Sequence, residues 1–355
     1  MLKKLANLQF RELKRISPSQ YASLQKCSYR HVLSAALRGK VLLPLPANAY
    51  LGTILHEMLE RIAKFEFETE DQLEQSFRIA ISECEEKLTA EGFTFLIPLK
   101  ENCTDFGMKK FQLKKHLQFR ETRKANVSFQ SERWLESKDR SVGGSVDLII
   151  KNDSFIEIVD FKTGRIMEEN MDEEGNTIEE IKPEYSAQLK LYACLYHEVN
   201  GVYPSKLSLV DLGKTKFEIP FSEKECELLL EQAKNLLKKV NLDIETKQFS
   251  PNPSKENCSY CLVRPACFSY DGYMISNPNS KDIKGTLVEV NKYINGNVSI
   301  DVQTYQDLFT ISNIARSEFD ALIELKSQTI KIFNLKRSRD GMSYESTKMT
   351  QIYVE

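Results

Sequence analysis

The stretch Gly143–Gly164, GGSVDLIIKNDSFIEIVDFKTG, reads as two apolar strands turning at Asn152-Asp153, with Asp147, Asp160 and Lys162 set into otherwise hydrophobic ribbons. Side chains two apart on a strand share a face, so Asp160 and Lys162 point the same way and Phe161 the other. Asp147 comes from the neighbouring strand. Two carboxylates brought together out of water repel, and one takes up a proton unless a cation lies between them. Oxygen ligands of this kind suit a hard divalent ion, Mg²⁺ or Mn²⁺. A lysine beside such an ion can hold a water or a phosphate oxygen on its open side. The bland reading is an exposed hairpin with a surface ion pair worth less than ~1 kcal/mol. Gly143-Gly144 before the first strand and Thr163-Gly164 after the second make the pattern more specific than an isolated Asp-x-Lys.

The chain has 355 residues, 41% hydrophobic and 28% charged, with net charge -2, and is long enough for one large and one smaller domain. No apolar run approaches the ~18 residues of a membrane helix, which argues against a membrane role. The N-terminal MLKKLANLQFRELKRISPSQ scatters charges through what would be a leader's apolar region, so a cytoplasmic location is expected. Overall charge neither supports nor excludes nucleic acid. Eight cysteines in such a chain suit buried thiols and metal ligands better than a disulfide framework.

Helical patterns are expected from Ser17 to Lys64, interrupted at Gly52, and over residues 69–91 as an amphipathic surface helix. Residues 168–180, EENMDEEGNTIEE, hold seven acids and no base and read as a solvated, flexible loop. An apolar helix, EYSAQLKLYACLYHEV, then a strand pair (KLSLVDL, KFEIPF) and a long helix at 223–240 follow. Residues 1–275 are assigned to the main domain and 276–282, SNPNSKD, to a linker. Residues 283–355 give three strand-like runs, a helix and two more strands, the order of a small OB-like barrel.

Outside the hairpin, His56 and Glu60 lie four apart on one helix face, a spacing that lets a histidine approach a metal while the acid orients it. A histidine on an amphipathic helix is otherwise usually structural. Gln188 and Tyr192 are also one turn apart, able to reach one side of a site or to serve as a capping amide and a packed ring. Glu132 on the preceding strand is a further candidate oxygen. Cys258, Cys261 and Cys267 form CxxCxxxxxC in a Pro-flanked loop, close enough for three thiolates to share one centre, with Cys27 the best fourth. Thiolates alone do not separate an iron-sulfur cluster from a Cys₄ zinc site. Cys84, Cys103, Cys194 and Cys226 lack partner spacing. KKFQLKKHLQFRETRK (109–124) has seven Lys or Arg against one acid, suited to a phosphate backbone or to a solvated helix. A second basic run is LKRSRDG (335–341).

Taken in order, SPSQYASLQKC with Cys27, GTILHEMLE with His56, GGSVDL with Asp147, VDFKTG with Asp160 and Lys162, and QLKLYA with Gln188 and Tyr192 resemble the PD-(D/E)xK nuclease superfamily. The likeness is to its RecB-like branch and runs over residues 17–267. It implies an α/β restriction-endonuclease-like core, a mixed sheet flanked by helices. It also implies metal binding by His56, Asp147, Asp160 and the Phe161 carbonyl, a catalytic Lys162, and site support or DNA contact from Gln188 and Tyr192. Members similar to the CRISPR-associated exonucleases and the AddB nuclease domain hold a [4Fe-4S] cluster on one upstream and three downstream cysteines, which implies a cluster, in preference to Zn²⁺, on Cys27, Cys258, Cys261 and Cys267. The expected activity is a Mg²⁺- or Mn²⁺-dependent deoxyribonuclease, an exonuclease on single-stranded DNA or DNA ends in repair, recombination or phage defence. The rival is a non-catalytic or partner-activated DNA-binding subunit of a helicase-nuclease complex. The sequence contains no GxxxxGK[ST] phosphate loop, so ATP-driven unwinding would need a separate helicase or ATPase.

Overall fold

A computed structural model describes residues 2–5, 7–118, 128–171, 176–277, 280–339, 341 and 343–355. Its strands are β1 (Leu2–Lys4), β2 (Ser128–Glu136), β3 (Gly143–Lys151), β4 (Ile156–Lys162), β5 (Met167–Met171), β6 (Thr177–Ile181), β7 (Lys206–Asp211), β8 (Lys216–Glu218), β9 (Ile283–Lys292), β10 (Val298–Gln303), β11 (Leu308–Ile314), β12 (Thr329–Phe333), β13 (Lys336–Arg337), β14 (Ser343–Glu345) and β15 (Gln351–Val354). The chain divides into two compact units: residues 12–25 with 46–246, and residues 1–11, 26–45 and 247–355.

In the first unit β3 and β4 are the hairpin read from the sequence. Pairing begins at Lys151↔Ile156, so the connection is a four-residue loop rather than a two-residue turn at Asn152-Asp153. Asn152 shapes that loop: its Oδ1 accepts from the Ser154 N–H, and its own N–H donates to the Phe155 carbonyl. The sheet order is β2-β3-β4-β7-β8. Only β4 and β7 run parallel, as their helical crossover requires. That crossover is the Pro183–Asn200 helix, which starts with proline and stops at Gly201, whose φ of 76° is left-handed. Leu189, Leu191, Ala193 and Leu195 are buried on it.

The Ala47–Ala63 helix runs unbroken through Gly52. The expected interruption is absent because the glycine serves packing: a Cβ there would lie 3.2 Å from Thr163 Oγ1, at the end of β4. The Glu70–Ala90 helix matches expectation and starts with a Thr69/Gln72 capping box. The acidic stretch is a second correction. Most of it forms the β5–β6 ribbon, registered from Met167↔Ile181 to Met171↔Thr177, with residues 172–175 outside the described set. Arg165 supplies the missing positive charge, pairing with both Glu169 and Glu179.

The second unit contains the sheet β1-β15-β12-β9-β10-β11-β14-β13. All five C-terminal strands expected from the sequence are present as β9, β10, β11, β12 and β15, with a short Phe319–Ile323 helix after the third. Inward residues such as Leu287, Ile300, Ile311, Ile330 and Ile352 form its core. β1 joins this sheet in parallel with β15. A second cluster, containing Leu42, Leu43, Tyr270, Phe333 and Tyr353, ties the 26–45 segment to it. Composition draws a division at 276–282, whereas contacts group 247–275 with the C-terminal strands. Ser280 and Asp282 are buried, and residues 278–279 are outside the described set.

Candidate active site

The site lies where the ladders on both sides of β3 part. Towards β4 the last ladder pair is Leu148↔Val159, immediately before Asp147 and Asp160. The main-chain donor freed by that parting is taken up by a side chain: the Phe161 N–H donates to Asp147 Oδ2 at 2.7 Å. Towards β2 the pairs Ser131↔Leu148 and Arg133↔Val146 leave Glu132 opposite Asp147, and Glu132 has a left-handed φ of 49°. A non-glycine residue adopts such a backbone only where its surroundings impose it.

The Ala47–Ala63 helix brings His56 to this gap. His56 Nε2 is 2.9 Å from Glu60 Oε1 and 3.3 Å from Asp147 Oδ2, and the three donor atoms lie within 4.8 Å of one another. Burial disfavours the charged imidazolium, but hydrogen bonds to Asp147 and Glu60 outweigh it and carry the His56 pKa up to about 10. Burial raises the Glu60 carboxyl, partly offset by His56. Glu132 pairs with Lys64, which holds its carboxyl low.

Asp160 is 2% exposed. Burial pushes its pKa up, the negative charge of Asp147 adds to that, and Lys162 opposes it. Lys162 Nζ stands 2.6 Å from Asp160 Oδ2 and donates to Gln188 Oε1 at 3.0 Å, while Gln188 Nε2 donates to Asp160 Oδ1 at 2.7 Å. Gln188 thus locks the lysine and the aspartate to one amide. Even so, Asp160 Oδ2 is buried with no well-aligned hydrogen bond. Tyr192 is buried and donates to the Ser145 carbonyl at 2.6 Å, supporting β3 beside Gly144, where a Cβ would sit 3.0 Å from that hydroxyl.

His56, Glu60, Asp147, Asp160, Lys162 and Gln188 therefore meet at one place. Phe161 contributes its N–H to Asp147 and buries its ring. Sequence reasoning passed over Tyr185, whose ring centroid is 4.5 Å from Lys162 Nζ. Its signal was the same helical spacing that singled out Gln188, three residues on. The donor set fits a divalent cation: His56, Glu60 and Asp147 offer one nitrogen and two carboxylate oxygens, while Asp160 stands outside this trio with its Oδ2 turned to Lys162. The basic stretch is less available than its charge suggests. Lys110 pairs with Glu74, and Lys114 with Glu70 and Glu74; Arg120, Arg123 and Lys124 lie outside the described residues.

In the second unit Cys27, Cys258, Cys261 and Cys267 line one cavity, together with Arg30 and Arg264. Burial raises the thiols of Cys258, Cys261 and Cys267. Cys194 and Cys226 are buried in the first unit.

The buried carboxylate of Asp160, the half-buried one of Asp147 and the ammonium of Lys162 thus gather where β3 and β4 part, on a mixed sheet carrying a helical crossover. The chain belongs to the PD-(D/E)XK nuclease superfamily, which it matches over residues 15–268. Among solved structures, a Eubacterium rectale protein named "Putative exonuclease" is similar at 10% identity, covering 70% of this chain and 87% of that one with a TM-score of 0.43. No curated protein matches the chain. Among the described residues no helix is long and apolar enough to cross a membrane.

Proposed function

We propose that this nuclease is a Mg²⁺- or Mn²⁺-dependent deoxyribonuclease of the RecB-like branch, acting as an exonuclease on single strands or DNA ends. The observation that carries the reading is the meeting of Asp147, Asp160 and Lys162 with His56 at the open end of β3 and β4. His56, Asp147 and Asp160, with Glu60 beside them, would hold the metal, and the Phe161 carbonyl is the further ligand the resemblance implies. When bound, the ion supplies Lewis acidity toward the scissile phosphate and lowers the pKa of a water. Lys162 places a fixed positive charge where the phosphate gains negative charge, and Gln188 keeps that ammonium in position. Tyr192 works through β3 rather than on the substrate.

Four thiols around one cavity, with the Arg30 guanidinium beside them, support a [4Fe-4S] centre on Cys27, Cys258, Cys261 and Cys267. Zn²⁺ is the alternative the same ligands accept. The strand order β15-β12-β9-β10-β11, with β14 parallel to β11 and a helix after the third strand, supports an OB-like C-terminal region able to engage single strands. A separate helicase or ATPase would be needed only for ATP-driven unwinding ahead of the cut, since the sequence has no phosphate loop of its own.

The test is cleavage of end-labelled single- and double-stranded DNA by anaerobically purified protein and its Lys162→Ala variant, with Mg²⁺, Mn²⁺ or EDTA. Metal-dependent cutting that falls by a factor of about 10²–10³ in the variant is expected. Wild type that binds DNA and cuts none of these substrates would point instead to a scaffold or helicase-activated subunit.

A further inference from the structure

The hairpin motif accounts for one lysine at the site, but the Tyr185 ring carries two. Lys162 Nζ lies 4.5 Å from its centroid and Lys182 Nζ 5.6 Å. The two ammonium groups are in different electrostatic states. Lys162 is ion-paired with Asp160 and hydrogen-bonded to Gln188, so its charge is largely met within the protein. Lys182 forms no ion pair with a carboxylate among the described residues, and its ammonium lies over the ring.

Lys182 is also fixed at its backbone. It is the residue before the Pro183–Asn200 helix, and its N–H donates to the Ile166 carbonyl at 3.1 Å, at the base of the β5–β6 ribbon. The side chain therefore starts from a rigid point and ends on a ring that also touches the proposed catalytic lysine. A ring face attracts each cation, yet two like charges on one ring repel each other, and Asp160 neutralises only the first. An oxyanion placed against Lys182 removes that imbalance. A nucleic-acid strand whose scissile phosphate reaches Lys162 brings its neighbouring phosphates along at fixed spacing.

We propose that Lys182, held over Tyr185, forms a second phosphate subsite that grips a backbone phosphate flanking the one cut at Asp147, Asp160 and Lys162. This rests on the nuclease reading and adds to it a recognition element: the site binds a strand, not an isolated phosphodiester. Lys182 is a binding residue, and Tyr185 is the positioning residue that keeps its ammonium near that of Lys162.

The experiment measures affinity for a fluorescein-labelled single-stranded oligonucleotide in Ca²⁺ over a series of KCl concentrations, for wild type, Lys182→Ala, Lys182→Arg and Tyr185→Phe. Losing one phosphate contact should flatten the slope of log affinity against log salt by about 0.7 in Lys182→Ala. Lys182→Arg keeps the charge and Tyr185→Phe keeps the ring, so both should retain the wild-type slope. Matching thermal melts show that the variants are folded. An unchanged slope in Lys182→Ala overturns the subsite. Wild type that binds but does not cut with Mg²⁺ or Mn²⁺ overturns the nuclease reading and leaves the slope result standing, whereas wild type that binds no nucleic acid overturns both.

Discussion

Asp160 in the first unit and Asp282 in the second are both buried aspartates paired with a cation, and the two pairs are finished differently. In the second unit Asp282, 3% exposed, has its oxygens fully engaged: Arg264 Nε and the Tyr270 hydroxyl each donate to Oδ2 at 2.7 Å, and the Asn334 N–H donates to Oδ1 at 2.7 Å. In the first unit Asp160 is as buried, but one of its oxygens lacks an aligned hydrogen bond and its carboxyl is raised by burial and by Asp147. A buried charge with every lone pair satisfied holds structure together. A carboxylate oxygen whose one close partner is a lysine can take a metal cation in that partner's place.

The difference can be tested by removing one partner from each pair. Asp160→Asn should reduce cutting by about a thousandfold or more. Its urea unfolding midpoint should move little, because Lys162 is 15% exposed and reaches water. Arg264→Ala should show the reverse emphasis, losing about 3–5 kcal/mol of stability by leaving Asp282 charged and buried, as read by chemical denaturation. Equal stability losses in the two variants would break the distinction.

A smaller effect belongs to pH. His31, in the second unit, is held to a pKa of about 4 by burial and by the positive charge of Arg30, against an ordinary value of 6.5. The unfolded chain then binds more protons than the folded one between these values. Stability is full above 6.5 and declines as pH falls towards 4. His31→Gln should flatten that slope in urea titrations at stepped pH.

The hairpin was legible because its chemistry is local: Asp160 and Lys162 share a strand face, and Asp147 sits on the adjoining strand. His56–Glu60 and Gln188–Tyr192 came into view through the family resemblance, with which their helical spacing agrees. What composition misread was long-range compensation. The acids of 168–180 look unpaired until Arg165 is placed between Glu169 and Glu179, and the lysines of 109–118 look free until Glu70 and Glu74 come alongside. Gly52 looked like a break because propensity counts its cost, while the approach of Thr163 that requires it comes from another element. The ladder interruption at Glu132, with its left-handed backbone, has no signal in residue type at all.

The parallel pairing of β1 with β15 sets an order of events during translation. Residues 1–11 belong to a unit that is finished only when residues 351–354 emerge, whereas the unit bearing Asp147 and Asp160 ends at Thr246. A chain made from its N-terminus therefore completes the acid-lysine site first. Throughout that interval Cys27 is without Cys258, Cys261 and Cys267, which must leave the ribosome before the cavity that all four line can form.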